Sequence, residues 1–177
     1  SFQWQQSNDG VNWTDISGAT SSTFSINFPG NTTPGNYMYR LSTAETGNLN
    51  SVKCRVASAL LTIRIFANPV TTVSSNTPLC QNGTLSLSAS GGSMYQWTGV
   101  NGFSATGNVA TINNVQLINS GKYYVLVTNT DGCFLPDSVT INIDPTPVAT
   151  TAFTSTSICA GDNIQLLANG GITYKWL

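Results

Sequence analysis

One unit of sequence recurs in this chain. It runs from Cys80 to Trp97 as CQNGTLSLSASGGSMYQW and from Cys159 to Trp176 as CAGDNIQLLANGGITYKW, with the cysteine, a glycine pair and the tryptophan at matching positions. The chain also begins with FQWQQ, in which Trp4 corresponds to the two later tryptophans. Because matching segments share local conformational preferences, the chain is predicted to fold as successive copies of one module.

A second segment recurs after the first two tryptophans. It reads YMYRL from Tyr37 and YYVLV from Tyr123, and each copy is followed by a turn, a cysteine (Cys54 or Cys133) and a further strand, ALLTIRI or DSVTINI. Along the chain, apolar and polar residues alternate with a period of two between clusters of Gly, Asn, Asp and Pro. This pattern predicts β-strands and leaves no convincing helix.

The order of the copies predicts the domain organisation. Residues 1–66 form the C-terminal part of one β-sandwich, 67–146 a complete one and 147–177 the N-terminal part of a third. The joints at 68–70 and 144–148 are short and contain proline, which predicts a semi-rigid array. The predicted fold class is all-β, as tandem sandwich domains.

The composition excludes several classes of function. Charged residues make up 7% of the chain, against a usual share of about 25%. Six basic and seven acidic residues give a net charge of −1, which offers no cationic surface to nucleic acid. No apolar run approaches the roughly 20 residues that span a bilayer, so no membrane insertion is predicted in this segment. A surface made polar by Ser, Thr, Asn and Gln is typical of secreted β-proteins.

The segment LINSGKYY, from Leu117 to Tyr124, resembles the L-x-D-x-G-x-Y motif of immunoglobulin domains, with Asn119 in place of the usual Asp. The resemblance implies that Tyr123 forms the tyrosine corner at the start of strand F. The first copy keeps the G-x-Y portion, which gives Tyr37 the same role. The resemblance also implies that the three aligned tryptophans, Trp4, Trp97 and Trp176, are the core tryptophans of strand C.

One departure from the immunoglobulin pattern concerns the core disulfide. Val125 stands two residues after the corner tyrosine, and Leu85 or Leu87 occupies the matching place in strand B. The usual inter-sheet disulfide is therefore absent. An apolar pair is expected in its place.

The succession of C-x-G, an apolar strand, aromatic-x-W, G-x-Y, D-G-C and S-V-T-I resembles the tandem immunoglobulin-like or PKD-like repeats of large Bacteroidota surface proteins, such as gliding-motility adhesins and other cargo of type IX secretion. The resemblance implies an extracellular, cell-surface location. It also implies an adhesive or spacer role and partners that are neighbouring repeats of the same protein.

Four cysteines in a charge-poor β chain indicate an oxidising compartment and disulfides. Two arrangements stay open. In the first, Cys80 and Cys133 join each other within the complete domain. In the second, each joins an adjacent repeat, because an immunoglobulin-like topology separates the two cysteines by more than the 7 Å between Cα atoms that a disulfide allows. In both arrangements Cys54 and Cys159 have their partners outside the chain.

The residues with reactive side chains do not form a recognisable catalytic set. The chain has no His, which excludes Ser-His-Asp triads and imidazole metal sites, and no cysteines at C-x₂₋₄-C spacing. No enzyme activity and no cofactor are predicted. Asp9, Asp15 and Asp131 are weak candidates for calcium ligands, because these stretches lack the carboxylate density of a dedicated calcium loop. Ordinary hairpin turns, such as one at Asp9-Gly10, are the favoured interpretation.

Three further residues are candidates for interaction or modification. Trp13 and Phe103 could stack on a sugar ring, or they could cover a cross-strand neighbour. Asp137-Ser138-Val139 resembles the D-[ST]-aliphatic signal for O-glycosylation in Bacteroidota, which makes Ser138 a glycosylation candidate.

These features predict a non-catalytic stalk or fibre segment of a large extracellular adhesin or surface filament. Two alternatives stay open. One is a carbohydrate- or surface-binding adhesin module, whose partners would be glycans or surfaces. The other is an accessory domain of a secreted hydrolase.

Overall fold

The computed structural model describes residues 1–153 and 157–176. By its contacts the chain divides into two compact units, residues 1–68 with 131–133 and residues 69–130 with 134–177. No helix in the described part of the chain has the length and apolarity needed to cross a bilayer.

The first unit is built on one five-stranded antiparallel sheet, ordered β2-β1-β3-β4 with β5 also pairing with β3. The strands are β1 (Phe2–Ser7), β2 (Thr14–Asp15), β3 (Gly35–Thr43), β4 (Val56–Ala57) and β5 (Leu61–Ile65), with a 3₁₀ turn at Val52–Cys54. The predicted hairpin at Asp9-Gly10 joins β1 to β2, and Gly10 has the positive φ, 75°, that such a turn requires.

The two faces of this sheet differ in character. On one face Trp4 lies opposite Leu41 and packs against Phe24, with 6.0 Å between the ring centroids. This face corresponds to the interior of a sandwich, and Trp4 is only half-buried on it. The opposite face carries buried polar side chains, namely Gln3, Gln5, Ser7 and Ser42. The strand residues that alternate with the apolar ones therefore form a polar layer covered by the unit's own loops.

The second unit contains a complete sandwich of two sheets. Its strands are β6 (Thr72–Ser75), β7 (Leu79–Cys80), β8 (Leu85–Ser90), β9 (Met94–Thr98), β10 (Ser104–Thr106), β11 (Val109–Ile112), β12 (Gly121–Thr128), β13 (Phe134–Ile141) and β14 (Ile143–Asp144), with 3₁₀ turns at Val100–Gly102 and Leu117–Asn119. The sheets are ordered β10-β9-β12-β13 and β11-β8-β6. This arrangement confirms the expected immunoglobulin-like fold, with β8, β9, β12 and β13 as strands B, C, F and G.

The core of this sandwich lies between the two sheets. Trp97 and Tyr123 are fully buried there, and Trp97 donates a hydrogen bond from Nε1 to the Gly107 carbonyl at 3.0 Å. Leu85, Leu87 and Val125 are also fully buried, so apolar side chains fill the region where other immunoglobulin domains carry a disulfide. At about 25 cal/mol per Å² of buried apolar surface, such a cluster stabilises the domain without a covalent link.

A parallel strand pair closes one edge of the sandwich. After the cis peptide bond between Thr77 and Pro78, β7 pairs with β14, the last strand of the domain. Leu79 lies opposite Ile143 and Cys80 opposite Asp144. The segment that enters the domain is thereby hydrogen-bonded to the segment that leaves it.

The remaining residues of the second unit repeat the beginning of the sandwich. The strands β15 (Thr150–Phe153) and β16 (Leu166–Asn169) pair as β6 and β8 do. The glycine pairs match in detail: a Cβ on Gly91 would lie 1.9 Å from the Val70 carbonyl oxygen, and one on Gly170 would lie 1.8 Å from that of Val148. Glycine is required at both positions because the backbone of the preceding strand passes too close for any side chain.

The core role expected for Trp176 is not seen in this structure. Trp176 lies outside any strand and is 56% exposed. The physical reason is that β15 and β16 form a two-stranded ribbon, which has no second layer among the described residues to cover it.

Candidate functional site

The tyrosines implied by the immunoglobulin resemblance form the expected corners. Tyr123 donates its hydroxyl to the Asn119 carbonyl at 2.9 Å, and Tyr37 donates to the Thr33 carbonyl at 2.7 Å. Each bond spans four residues and fixes the turn before the strand. Burial raises the pKa of the Tyr123 phenol. Both side chains therefore have a structural role.

Asp9 organises the β1–β2 turn. Its carboxylate accepts hydrogen bonds from the backbone amides of Val11 and Asn12, the side-chain amide of Asn12 and the hydroxyl of Ser7. These bonds, led by the Asn12 amide, hold the pKa of Asp9 far below its ordinary value. Because N–H donors surround both oxygens, the carboxylate is used to close the turn.

The three calcium candidates are placed in different settings. Asp15 pairs with Arg55, Asp9 closes its turn, and Asp131 lies in the turn between β12 and β13. Within residues 1–153 and 157–176 no three acidic, Cys or His side chains converge as a metal-binding group.

Asp15 lies at the outer, polar face of the first unit. Arg55 donates to it from Nη2 at 2.8 Å, and Gln5 donates from Nε2 at 2.6 Å. The Arg55 hydrogen bond is the main cause of a lowered pKa for Asp15. The Arg55 side chain is 14% exposed and that of Asp15 49%, so the pair joins a nearly buried cation to a carboxylate at the surface.

A second arginine lies beside this pair. The Arg40 guanidinium stacks on the Trp13 ring, 4.3 Å from its centroid, and its Nε donates to Gln5 Oε1 at 2.7 Å. The Nε of Arg55 donates in the same way to Ser42 Oγ at 3.2 Å. Both guanidinium groups are thus held by buried polar side chains of the sheet beneath them.

Together these side chains line a shallow groove of about 520 Å³, which we call the polar groove. Its principal residues are Gln5, Trp13, Asp15, Arg40, Ser42 and Arg55. Only Trp13 and Asp15 among them are candidates on sequence features alone. The sequence does contain a signal for the other groove residues, because polar residues alternate with apolar ones in two strands. Gln3 and Gln5 flank Trp4 in the first strand, and Arg40 and Ser42 flank Leu41 in the second.

The equivalent face of the complete sandwich carries different side chains on strand F. Counted from the corner tyrosines, Arg40 of β3 corresponds to Leu126 of β12 and Ser42 to Thr128. The copies also pair these strands in different registers, because Trp97 lies opposite Val125 whereas Trp4 lies opposite Leu41. A shift of two residues keeps each side chain on its own face but changes its neighbours.

The cysteine positions bear on the two open arrangements. Cys80 lies beside Asp144 at the end of β14, and Cys133 immediately precedes β13. The continuous strand β13 (Phe134–Ile141) lies between Cys133 and the β7–β14 pair, and at about 3.3 Å per residue it alone spans roughly 23 Å. That distance disfavours a bond between Cys80 and Cys133. No disulfide joins any of the four cysteines, all of which the structure describes.

The other two candidates occupy contrasting positions. Phe103 packs edge-on against Tyr123, with 5.4 Å between centroids, so it covers the core and is not free to stack on a sugar. Ser138 lies in β13 opposite Tyr124, and its backbone amide donates to Asp137 Oδ1 at 2.7 Å. Since β13 is at the end of its four-stranded sheet, Ser138 lies on an edge strand.

Comparisons with known proteins give one family model that matches part of the chain and distant structural likenesses. A family model described as Domain of unknown function (DUF8696) matches residues 1–65. No curated protein matches the chain. Among solved structures, the chain is similar to the amphioxus IgVJ-C2 molecule at 16% identity and a TM-score of 0.39, with 80% of this chain and 88% of that one covered.

A second likeness is to the three N-terminal domains of the highly immunogenic outer capsid protein (Hoc) of bacteriophage RB49. The identity is 15% and the TM-score 0.37, and the match covers 96% of this chain and 58% of that one. A third is to a complex of Dpr2 Ig1-Ig2 with DIP-Theta Ig1-Ig3, at 9% identity and a TM-score of 0.31.

Proposed function

We propose that this chain is a non-catalytic, tension-transmitting segment of a large extracellular adhesin or surface filament, in which sandwich domains follow one another along one polypeptide. The observation that carries the proposal is the parallel pairing of β7 with β14 in the complete sandwich. The repeated sequence unit and the short joints support it. Only residues 66–71 separate β5 from β6, and only residues 145–149 separate β14 from β15.

The β7–β14 pair has the geometry of a mechanical clamp. Tension along the chain enters before β7 and leaves after β14, so it pulls these parallel strands in opposite directions along their length. The inter-strand bonds lie across that direction and must break together. Gln81 adds a backbone bond from its amide to the Asp144 carbonyl at 2.9 Å, and Thr146 contacts the Gln81 carbonyl through its hydroxyl at 3.4 Å.

The proposed location and partners follow from the same features. The sparse charge, the four cysteines and the resemblance to Bacteroidota surface repeats support an extracellular, cell-surface protein whose nearest partners are its own neighbouring repeats. The wide separation of Cys80 and Cys133 supports disulfides between adjacent repeats, which would brace the array.

The clamp can be tested by pulling the 177-residue chain from its ends in single-molecule force spectroscopy. Leu79 in β7 and Ile112 in β11 are both partly buried and packed against the same core. The proposal predicts that Leu79→Ala lowers the unfolding force of the complete sandwich more than Ile112→Ala does, after correction for equilibrium stability. Equal losses of force in the two variants would contradict the clamp.

The alternative of a carbohydrate-binding adhesin module is favoured by one separate observation, the polar groove of the first unit. A ligand site there is compatible with a role in transmitting tension, because the groove and the clamp lie in different units.

A further inference from the structure

Arg40 has unused hydrogen-bonding capacity at the polar groove. Its Nε is bonded to Gln5, but its two terminal nitrogens have no acceptor among the described residues. A guanidinium is charged at all physiological pH values and offers donors in a fixed plane that matches the two oxygens of a carboxylate. The stacking on Trp13 and the bond to Gln5 fix the orientation of that plane.

The charge of the groove is unbalanced. Asp15 forms its ion pair with Arg55, at 2.8 Å, and it also feels the charge of Arg40 without contacting it. Two cations and one carboxylate leave the groove with a net positive charge. The chain has only six basic residues, and two of them are in this groove. The Asp15–Arg55 pair already shows the kind of contact that Arg40 can make with an external carboxylate.

The buried polar side chains of the groove depend on the two arginines for their hydrogen bonds. Gln5 is 6% exposed and Ser42 is 3% exposed, and burial of such polar groups is unfavourable unless they are hydrogen-bonded. Here their partners are the Nε atoms of Arg40 and Arg55. The corresponding strand of the complete sandwich pairs with its neighbours with Leu126 and Thr128 at these positions. The arginine platform is therefore an addition to the common module.

We propose that the polar groove binds a saccharide that carries a carboxylate, such as a uronic acid unit of a glycan. Arg40 binds the carboxylate, Trp13 supplies an apolar wall for the ring, and the half-exposed carboxylate of Asp15 accepts hydrogen bonds from hydroxyl groups. A glycan fits these partners better than an acidic peptide does, because the groove presents acceptors beside its cation. A volume of about 520 Å³ accommodates one or two sugar rings.

The test is an NMR titration of the whole 177-residue chain with trigalacturonate. Its fully methyl-esterified form, which has the same rings without charge, is the ligand control. Arg40→Gln removes the free guanidinium. Arg64→Gln is the matched protein control, because Arg64 also stacks on an aromatic ring, at 4.6 Å from the Phe66 centroid, but lies outside the groove.

The expected result is that trigalacturonate shifts the Trp13 indole N–H signal and that Arg40→Gln weakens binding by about tenfold or more. Arg64→Gln should leave binding unchanged, and the methyl ester should bind far more weakly than the acid. The proposal is overturned if trigalacturonate does not bind, or if Arg40→Gln binds it as tightly as the unmodified chain. It is also overturned if a hexa-glutamate peptide binds in the groove while the saccharide does not.

Discussion

Removal of the hydroxyl group from each corner tyrosine tests how burial affects the contribution of a hydrogen bond to the free energy of unfolding. In the complete sandwich, Tyr123 is fully buried and its hydroxyl bonds to the Asn119 carbonyl at 2.9 Å. Tyr123→Phe leaves that carbonyl without its partner at a part-buried position, which costs about 1–3 kcal/mol. For a domain of 60–100 residues, each kcal/mol lowers the melting temperature by about 4–8 °C.

Tyr37→Phe is the matched control for this experiment. It removes the same kind of bond, from the Tyr37 hydroxyl to the Thr33 carbonyl at 2.7 Å, but at an exposed position. Water replaces the lost partner there, so the loss should stay below about 1 kcal/mol.

Hydrogen exchange measured by mass spectrometry reads the two units separately, because peptides from β3 and from β12 report on different sheets. Tyr123→Phe should lower the protection of β9, β12 and β13 and leave that of β1 and β3 unchanged. Equal losses in the two variants, or a larger loss from Tyr37→Phe, would refute the reasoning from burial.

Three further results are expected. Gly99→Ala should destabilise the complete sandwich by about 1–3 kcal/mol in thermal unfolding, because the added Cβ would lie 2.4 Å from a buried ring carbon of Tyr123. Gly30→Ala is the control: its Cβ would meet nothing within 4 Å, so the change in stability should be near zero. Because the pKa of Asp15 is lowered, its carboxylate stabilises the first unit at pH values above 3.8, the ordinary pKa of this group. This contribution should fade as the pH drops below 3.8, and Arg55→Gln should remove most of that pH dependence. Non-reducing peptide mapping of the full-length native protein should find Cys80 joined to a neighbouring repeat; a Cys80–Cys133 peptide would contradict the strand geometry.

The fold was predictable where the determining signals are local. The two glycine pairs, which begin at Gly91 and Gly170, mark turns in which a carbonyl comes within 2 Å of where a Cβ would lie, and only glycine satisfies that constraint. The alternation in β8 and β12 likewise determines which side chains face the core. Each signal is contained in a few consecutive residues, and each recurs in a second copy of the repeat.

The polar groove was not predictable because its contacts depend on strand register. Gln5 and Arg40 are 35 residues apart in sequence and meet only because β1 and β3 pair with Trp4 opposite Leu41. The complete sandwich uses a register shifted by two residues, and both registers satisfy the same alternation. Periodicity therefore specifies the face on which Arg40 lies but not its neighbours on that face.

The location of Cys80 within the β7–β14 clamp links the disulfide question to the mechanical one. Without a disulfide, tension that enters through β7 passes to β14 across the hydrogen bonds between the two strands, and in our proposal the clamp determines when the sandwich unfolds. With a disulfide from Cys80 to the following repeat, tension passes from β7 straight through the covalent bond, and residues 81–144 lie in a closed loop that cannot be extended. The two cases differ in an observable way. In the disulfide-linked array, a reducing agent should increase the length released on unfolding, whereas an array braced only by hydrogen bonds should release the same length with and without it.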